Sequence, residues 1–159
     1  MGSGKTRLGK KLAERLNLDF FDLDEEIERR ENLKVSQIFL EKGETGFREI
    51  EKKTLHQVIE ENDALLLACG GGTPCFSTNM EQMNSAGKTL YLDVPEETLV
   101  NRLLNSKVKR PLIAGMNYGD LKNYVREKLL ERKTYYSKAK IWVNPMETSI
   151  DTIVKSLLY

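Results

Sequence analysis

The chain has 159 residues, and its 25 lysine and arginine side chains nearly balance its 24 aspartate and glutamate side chains. That length suits one domain with a single core. The near-zero net charge provides no large one-signed field for nonspecific binding of nucleic acid or of an anionic membrane, and the longest apolar run, 64–69, is too short to span a bilayer. We therefore expect a cytoplasmic protein without nucleic-acid or membrane partners.

Few side chains are available for a zinc site. Cys69 and Cys75 are the only cysteines, and His56 is the only histidine. This set does not reach the ligand number and spacing of ordinary zinc sites. The thiols are predicted to be reduced and structural, and His56, which falls in a stretch of helical periodicity, is given no role.

Segments of helical periodicity alternate with short apolar runs along the chain. Helical spacing is found at 6–16, 36–40, 47–59, 95–104, 121–129 and 150–158. Short apolar runs predict strands at 20–23, 64–68, 90–94 and 141–143. Strands that alternate with helices predict an α/β fold in which a parallel sheet is flanked by helices on both faces, in a single domain over 1–159.

A phosphate-binding motif opens the chain. Gly2-Ser3-Gly4-Lys5-Thr6 stands directly before the first helical segment and matches the end of G-x-x-x-x-G-K-[ST]. The glycines let backbone N–H groups turn toward a polyphosphate, Lys5 reaches the β- and γ-phosphates, and the Thr6 hydroxyl coordinates Mg²⁺. The alternative is a flexible tail that contains Gly-Lys-Thr by accident, since short motifs recur freely.

The first glycine of this motif and the apolar strand that normally precedes it are not in the sequence, which begins at Met1. In a doubly wound sheet that strand is interior, so its absence would expose the edges of both neighbouring strands. We therefore expect the natural protein to be longer than this sequence. An intact mass measured on protein from the native source would test this expectation.

Two carboxylates follow the first predicted strand, in Asp22-Leu23-Asp24. Ligands of open α/β folds collect at this end of the sheet, and alternate residues at a strand end point to opposite sides. One carboxylate could therefore support Mg²⁺ and the other could accept the proton of an attacking hydroxyl. The alternative is an acidic helix start that favours the helix dipole.

Glycines and an arginine predict a place for an anionic or polar ligand. The run Gly70-Gly71-Gly72 ends a predicted buried strand and would let a ligand approach the main chain closely, although a wide turn would also explain it. Arg48 lies next to an apolar position of a predicted helix. Its guanidinium could grip a carboxylate through two hydrogen bonds, or it could pair with a nearby glutamate.

The aperiodic segment 107–119 is predicted to be a lid. It contains Lys107, Lys109, Arg110 and Pro111, and its charges would reach the phosphates only when the lid is closed. The alternative is a solvated basic loop. Arg132, taken by itself, is a surface charge on a predicted helix.

Together these segments resemble the shikimate kinase family over essentially the whole chain and in the family's order. Gly2 to Thr6 resembles its ATP loop, and Asp22-Leu23-Asp24 its D-x-D. The other matching segments are Gly46-Phe47-Arg48-x-x-Glu51, Gly70-Gly71-Gly72, Lys109-Arg110-Pro111-Leu112, and Arg132 with Tyr136 and Ala139. The resemblance implies a P-loop kinase that uses ATP and Mg²⁺ to make shikimate 3-phosphate on the way to aromatic amino acids.

The resemblance also implies a role for each matching residue. Lys5 and Arg110 would hold the transferring phosphoryl group, Thr6 and Asp22 would place Mg²⁺, and Asp24 would deprotonate the 3-hydroxyl of shikimate. ATP would be bound by Gly2, Ser3, Gly4, Lys5, Thr6, Arg7, Arg102 and Arg110, with Arg102 stacked on adenine. The acceptor would be bound by Asp24, Arg48, Gly70, Gly71, Gly72 and Arg132.

One residue of the ATP loop departs from the family. Arg7 stands where the family usually has Ser or Thr, and its charge could replace the lost hydroxyl contact to a phosphate. Two other functions compete with this interpretation: a gluconate or nucleoside monophosphate kinase, and a truncated ligand-binding module without catalysis. A monomer is expected by analogy with kinases of this size.

Overall fold

The computed structural model of the chain describes residues 2–106 and 113–159. Four short strands are found there: β1 (Asp19–Asp22), β2 (Leu65–Ala68), β3 (Leu90–Leu92) and β4 (Ile141–Val143). The helices are α1 (Lys5–Leu16), α2 (Leu23–Glu31), α3 (Val35–Glu61), α4 (Asn79–Ala86), α5 (Glu96–Leu104), α6 (Tyr118–Tyr136) and α7 (Ile150–Leu158). No helix within these ranges combines the length and the apolar character that a bilayer span requires.

The strands pair in parallel, as predicted, but they form two sheets. β1 lies beside β2, with Asp22 opposite Ala68, and β3 lies beside β4, with Leu90 opposite Ile141. In the described residues each sheet has only these two strands, so β2 and β3 each keep an edge without a strand partner. The prediction of parallel strands between helices is confirmed, and in this part of the chain the strands form two separate pairs.

The two sheets share one apolar cluster. Leu12 of α1, Val143 of β4 and Ile153 of α7 are buried together. Leu66 of β2 and Leu90 of β3 pack against this cluster from the two sheets. Because each large apolar side chain that leaves water contributes about 1.5–3 kcal/mol, this cluster links the two sheets without strand pairing.

A second cluster packs α2 against α3. Leu23 and Ile27 of α2 are fully buried against Ile38, Phe47 and Leu55 of α3. α3 is interrupted at Gly43, where φ is 68°, and residues from both of its segments pack in this cluster with α2. The predicted division of this region near Gly43 agrees with the kink.

Several predicted boundaries are wrong. Leu23 was expected to end the first strand, but it begins α2 because the Asp22 side chain accepts a hydrogen bond from the Asp24 N–H and caps the helix. β3 ends at Leu92, two residues earlier than predicted. α6 begins at Tyr118, so the end of the segment 107–119 is helical. The short 3-10 turn Thr73–Cys75 and the helix α4 were not predicted.

Candidate active site

The phosphate loop has the backbone that an anion site requires. Gly2 and Gly4 have φ values of 65° and 86°, in the left-handed region where glycine is favoured. Gly4 caps α1, and among the described residues no side chain bonds to the first N–H groups of that helix. Those N–H groups and the positive end of the helix dipole are therefore free to bind a phosphate.

Asp22 connects the phosphate loop to the end of β1. Its Oδ2 accepts hydrogen bonds from Lys5 Nζ at 3.3 Å and from Thr6 Oγ1 at 3.0 Å, while Oδ1 caps α2. The side chain of Asp22 is buried, with only 9% of it exposed, whereas one third of the Lys5 side chain is exposed. Thus the motif residues and the first carboxylate meet in one place, as the sequence predicted.

The oxygen atoms of Thr6 and Asp22 suit a magnesium ion. Mg²⁺ prefers hard oxygen ligands and in phosphate-transfer sites is held by one or two carboxylates, by waters and by the phosphates themselves. Hydroxyl and carboxylate oxygens 3.0 Å apart at the phosphate loop match that requirement. Within residues 2–106 and 113–159 no cluster of three or more ligating side chains forms a cage made by protein alone.

Asp24 lies two residues after Asp22, in the first turn of α2. It was expected at a strand end, and its helical position keeps it half-buried. Burial raises the pKa of the Asp24 carboxyl above its ordinary value, Lys5 opposes that rise, and the charges of Asp22 and Glu51 add to it. A carboxylate with a raised pKa can serve as a general base.

Arg48 forms a partly buried ion pair. Its Nη1 donates to Glu51 Oε2 at 2.8 Å, and only 1% of the Glu51 side chain is exposed. Glu44, which is largely exposed, lies 3.7 Å from Nη2. Arg48 therefore has a glutamate partner, as one alternative proposed, but the pair is partly buried and the guanidinium keeps other N–H groups for a ligand.

The triple glycine lies against this arginine and against α6. A Cβ atom added to Gly72 would lie 2.9 Å from Cζ of Arg48. The Tyr136 hydroxyl donates to the Gly71 carbonyl at 2.7 Å. Burial raises the pKa of the Cys75 thiol, and the positive charges of Arg132 and Arg48 oppose that rise.

A cavity of about 350 Å³ opens beside the phosphate loop. Arg102 lies on its wall, where Nη1 donates to the carbonyls of Gly2 at 3.1 Å and Ser3 at 3.2 Å. The lining residues are Gly2, Ser3, Gly4, Arg7, Leu8, Lys11, Arg102, Pro145, Thr148 and Ile150. Arg7 therefore borders the same space as the loop glycines.

Comparison with known proteins identifies the family. The shikimate kinase family model matches residues 1–159. A shikimate kinase of Phocaeicola vulgatus is 49% identical over 140 residues, which cover 88% of this chain and 79% of that protein. The chain belongs to the shikimate kinase family. A shikimate kinase of Azobacteroides pseudotrichonymphae is 40% identical over 99% of this chain and 93% of its own length.

Solved structures of the shikimate kinase family share the fold. The crystal structure of shikimate kinase from Bacteroides thetaiotaomicron has a TM-score of 0.88 at 40% identity, covering 99% of this chain and 91% of that one. Shikimate kinase from Acinetobacter baumannii in complex with shikimate has a TM-score of 0.84 at 33% identity, covering 99% and 86%. The chain is accordingly an ATP-dependent kinase with the P-loop α/β fold of its family.

Some residues of this kinase were missed, and others lie outside the described ranges. Lys11, Pro145, Thr148 and Ile150 line the cavity without having been singled out from the sequence. Pro145 follows β4 closely, so the general rule that ligands collect after parallel strands could have found it. Lys107, Lys109, Arg110, Pro111 and Leu112 lie outside the described residues.

Replacing Gly72 with Ala is expected to displace Arg48 and to lower the free energy of unfolding by about 1–3 kcal/mol. This is the cost of leaving a buried polar group without its hydrogen-bond partner, here the Glu51 carboxylate when Arg48 moves away. The added methyl would occupy the space of the guanidinium, which is packed against this turn. Urea unfolding checks this value. Gly87→Ala is the control, since a Cβ there meets nothing within 4 Å; equal losses in the two variants would contradict the proposed displacement.

Proposed function

We propose that the chain transfers the γ-phosphoryl group of ATP to the 3-hydroxyl of shikimate, giving ADP and shikimate 3-phosphate. The observation that carries this proposal is the meeting of the phosphate loop and the acceptor side at two adjacent carboxylates. Asp22 bonds to Lys5 and Thr6, and Asp24, two residues later, has a raised pKa. The family relatives named as shikimate kinases, one of them solved with shikimate, support the choice of acceptor.

On the donor side, backbone N–H groups of the loop Gly2 to Thr6 would bind the phosphates, with Lys5 and Arg110 holding the transferred group. Thr6 and Asp22 would hold Mg²⁺, which when bound neutralises charge on the phosphate oxygens. The cavity bordered by Arg102 and Arg7 would take the rest of the nucleotide. These groups position the donor, and phosphoryl transfer needs positioning and charge more than covalent help.

On the acceptor side, Asp24 would take the proton of the 3-hydroxyl onto a carboxylate oxygen as the hydroxyl oxygen attacks the γ-phosphorus and ADP leaves. Arg48 and Arg132 would bind the shikimate carboxylate and neighbouring hydroxyls. The backbone of Gly70, Gly71 and Gly72 would contribute N–H groups at close approach. The arrangement favours a small carboxylic acid because the Arg48 guanidinium lies against Gly72 and can bind a carboxylate through two hydrogen bonds.

The proposal includes a single kinase domain over 1–159 with a lid at about 107–119, and a monomer in the cytoplasm. These three statements stay predictions. Gluconate and nucleoside monophosphate kinases would share Lys5 and Thr6 but have no need of a glycine run against an arginine. That feature of Gly72 and Arg48 favours shikimate over the other acceptors.

ADP release in the presence of ATP, Mg²⁺ and shikimate tests the function. We expect shikimate-dependent release that Lys5→Met abolishes and that Lys10→Met, an exposed lysine of the same helix, preserves. Gluconate and a nucleoside monophosphate in place of shikimate should give no release. Calorimetric binding of shikimate without any turnover would support the ligand-binding module, and release with another acceptor would overturn the assignment of shikimate.

A further inference from the structure

Thr73 lies at a junction beneath the acceptor side. It is fully buried in the 3-10 turn that follows the three glycines, and its Oγ1 donates to Glu51 Oε1 at 2.7 Å. Its N–H donates to the Gly70 carbonyl at 3.1 Å. The side chain of Asn79, also fully buried, donates to the Thr73 carbonyl at 2.9 Å. One residue thus joins α3, the glycine run and α4.

The Glu51 carboxylate is divided between two partners. Oε2 accepts from Arg48, and Oε1 accepts from Thr73. Because Glu51 is almost completely excluded from water, an oxygen that loses its partner has no solvent to replace it. The carboxylate would then turn toward Arg48, the remaining donor, and claim more of its N–H groups. Without the Thr73 hydroxyl, fewer N–H groups of Arg48 would stay available to a ligand.

The same hydroxyl lies close to the glycine backbone. A Cβ atom placed on Gly70 would be 3.3 Å from Thr73 Oγ1, 3.6 Å from Glu51 Oε1 and 4.0 Å from Asp24 Oδ1. The carboxylates of Asp24 and Glu51 and the hydroxyl of Thr73 therefore all lie close to Gly70. A change in the Thr73–Glu51 bond therefore acts at the place where the acceptor would bind.

We propose that Thr73 is a positioning residue of the acceptor site, which holds Glu51 so that Arg48 presents its free N–H groups to the carboxylate of shikimate. This inference rests on the proposed function. A merely structural threonine would satisfy the buried carboxylate and contribute to stability without a specific effect on one substrate. The two roles differ in which Michaelis constant they change.

Thr73→Val removes the hydroxyl and nearly keeps the shape. We expect the KM for shikimate to rise roughly 5- to 100-fold, which is the range for a buried group that loses its hydrogen bond. The KM for ATP should stay within about twofold of its original value, and kcat should change much less than the KM for shikimate. Thr73→Ser, which keeps the hydroxyl, should restore the shikimate KM. Thr78→Val is the control, because Thr78 is exposed and caps α4 without a side-chain hydrogen bond.

If Thr73→Val does not fold, Thr73→Cys keeps the size with a weaker donor and should raise the shikimate KM by a smaller factor. The proposal is overturned if Thr73→Val leaves the KM for shikimate unchanged or raises the KM values for shikimate and ATP together. It is also overturned if Thr73→Ser raises the KM for shikimate as much as Thr73→Val does. A double-mutant cycle of Thr73→Val with Glu51→Gln on urea stability tests the contact without any assay of activity. Failure of shikimate turnover in the unchanged chain would refute the proposed function, whereas absence of coupling in that cycle would refute only the inference.

Discussion

Asp24→Asn is expected to lower kcat by roughly 100- to 10,000-fold, the range that a general base contributes. The amide keeps the size and the polar contacts of the carboxylate, but it cannot take the proton of the acceptor hydroxyl. The KM for shikimate should change little, because Arg48 and the glycine run still bind the acceptor. Steady-state kinetics with shikimate and ATP varied in turn measure both constants.

The same substitution is expected to stabilise the fold at neutral pH. The pKa of Asp24 is raised in the folded state, chiefly by burial, so its favourable contribution to stability is present below the unfolded pKa and is lost as the pH rises through the folded pKa. At pH 7 the ionised side chain therefore weakens the fold, and an uncharged amide removes that cost. Thermal unfolding at pH 7 and again near pH 4 should show a gain that shrinks as the pH falls.

Glu25→Gln is the matched control for Asp24→Asn, since Glu25 is the next residue of α2 and is exposed. It should leave both kcat and thermal stability close to those of the unchanged chain. The activity of the unchanged chain should fall as the pH drops through the raised pKa of Asp24. A fully active Asp24→Asn variant would remove Asp24 from the mechanism, whatever its effect on stability.

The sequence predicted the meeting of the phosphate loop with Asp22 because both features follow from local rules. A Gly-Lys-Thr loop before a helix and a carboxylate after a strand collect at the same end of a parallel sheet. The exact start of α2 was missed, because Leu23 fits equally the apolar run of a strand and the buried face of a helix. The Asp22 cap decides between them, and a cap is a single hydrogen bond that periodicity does not show.

Long-range contacts were beyond the sequence. A pair between Arg48 and a nearby glutamate was one expected alternative, but the sequence does not show that Glu51 is buried or that Thr73 bonds to its other oxygen. Thr73 stands in a short aperiodic turn where no pattern distinguishes it. Exposed strand edges were expected, but which strands would carry them was not predicted, because apolar runs identify β2 and β3 without showing which backbone edges come within hydrogen-bonding distance.

Arg48→Ala is expected to weaken acceptor binding by about 2–4 kcal/mol, which raises the KM for shikimate roughly 30- to 1,000-fold. The guanidinium is the group that would meet the acceptor carboxylate, and without it that carboxylate is left without its partner. The KM for ATP should stay within about twofold, because Arg48 lies on the acceptor side. A normal KM for shikimate would contradict the role of Arg48.

Measurements of stability distinguish a role of Arg48 in binding shikimate from its role as the ion-pair partner of Glu51. Removing Arg48 leaves the buried Glu51 charge without its ion-pair partner, and breaking a buried pair in this way costs about 3–5 kcal/mol. Arg48→Ala combined with Glu51→Gln removes that charge, so it should regain part of the stability while the KM for shikimate stays high. Arg29→Ala is the control, because Arg29 is largely exposed and its partner Glu26 is also bound by Arg30. Recovery of shikimate binding together with stability in the double variant would mean that Arg48 acts only by satisfying Glu51, and the acceptor carboxylate would then need a different partner.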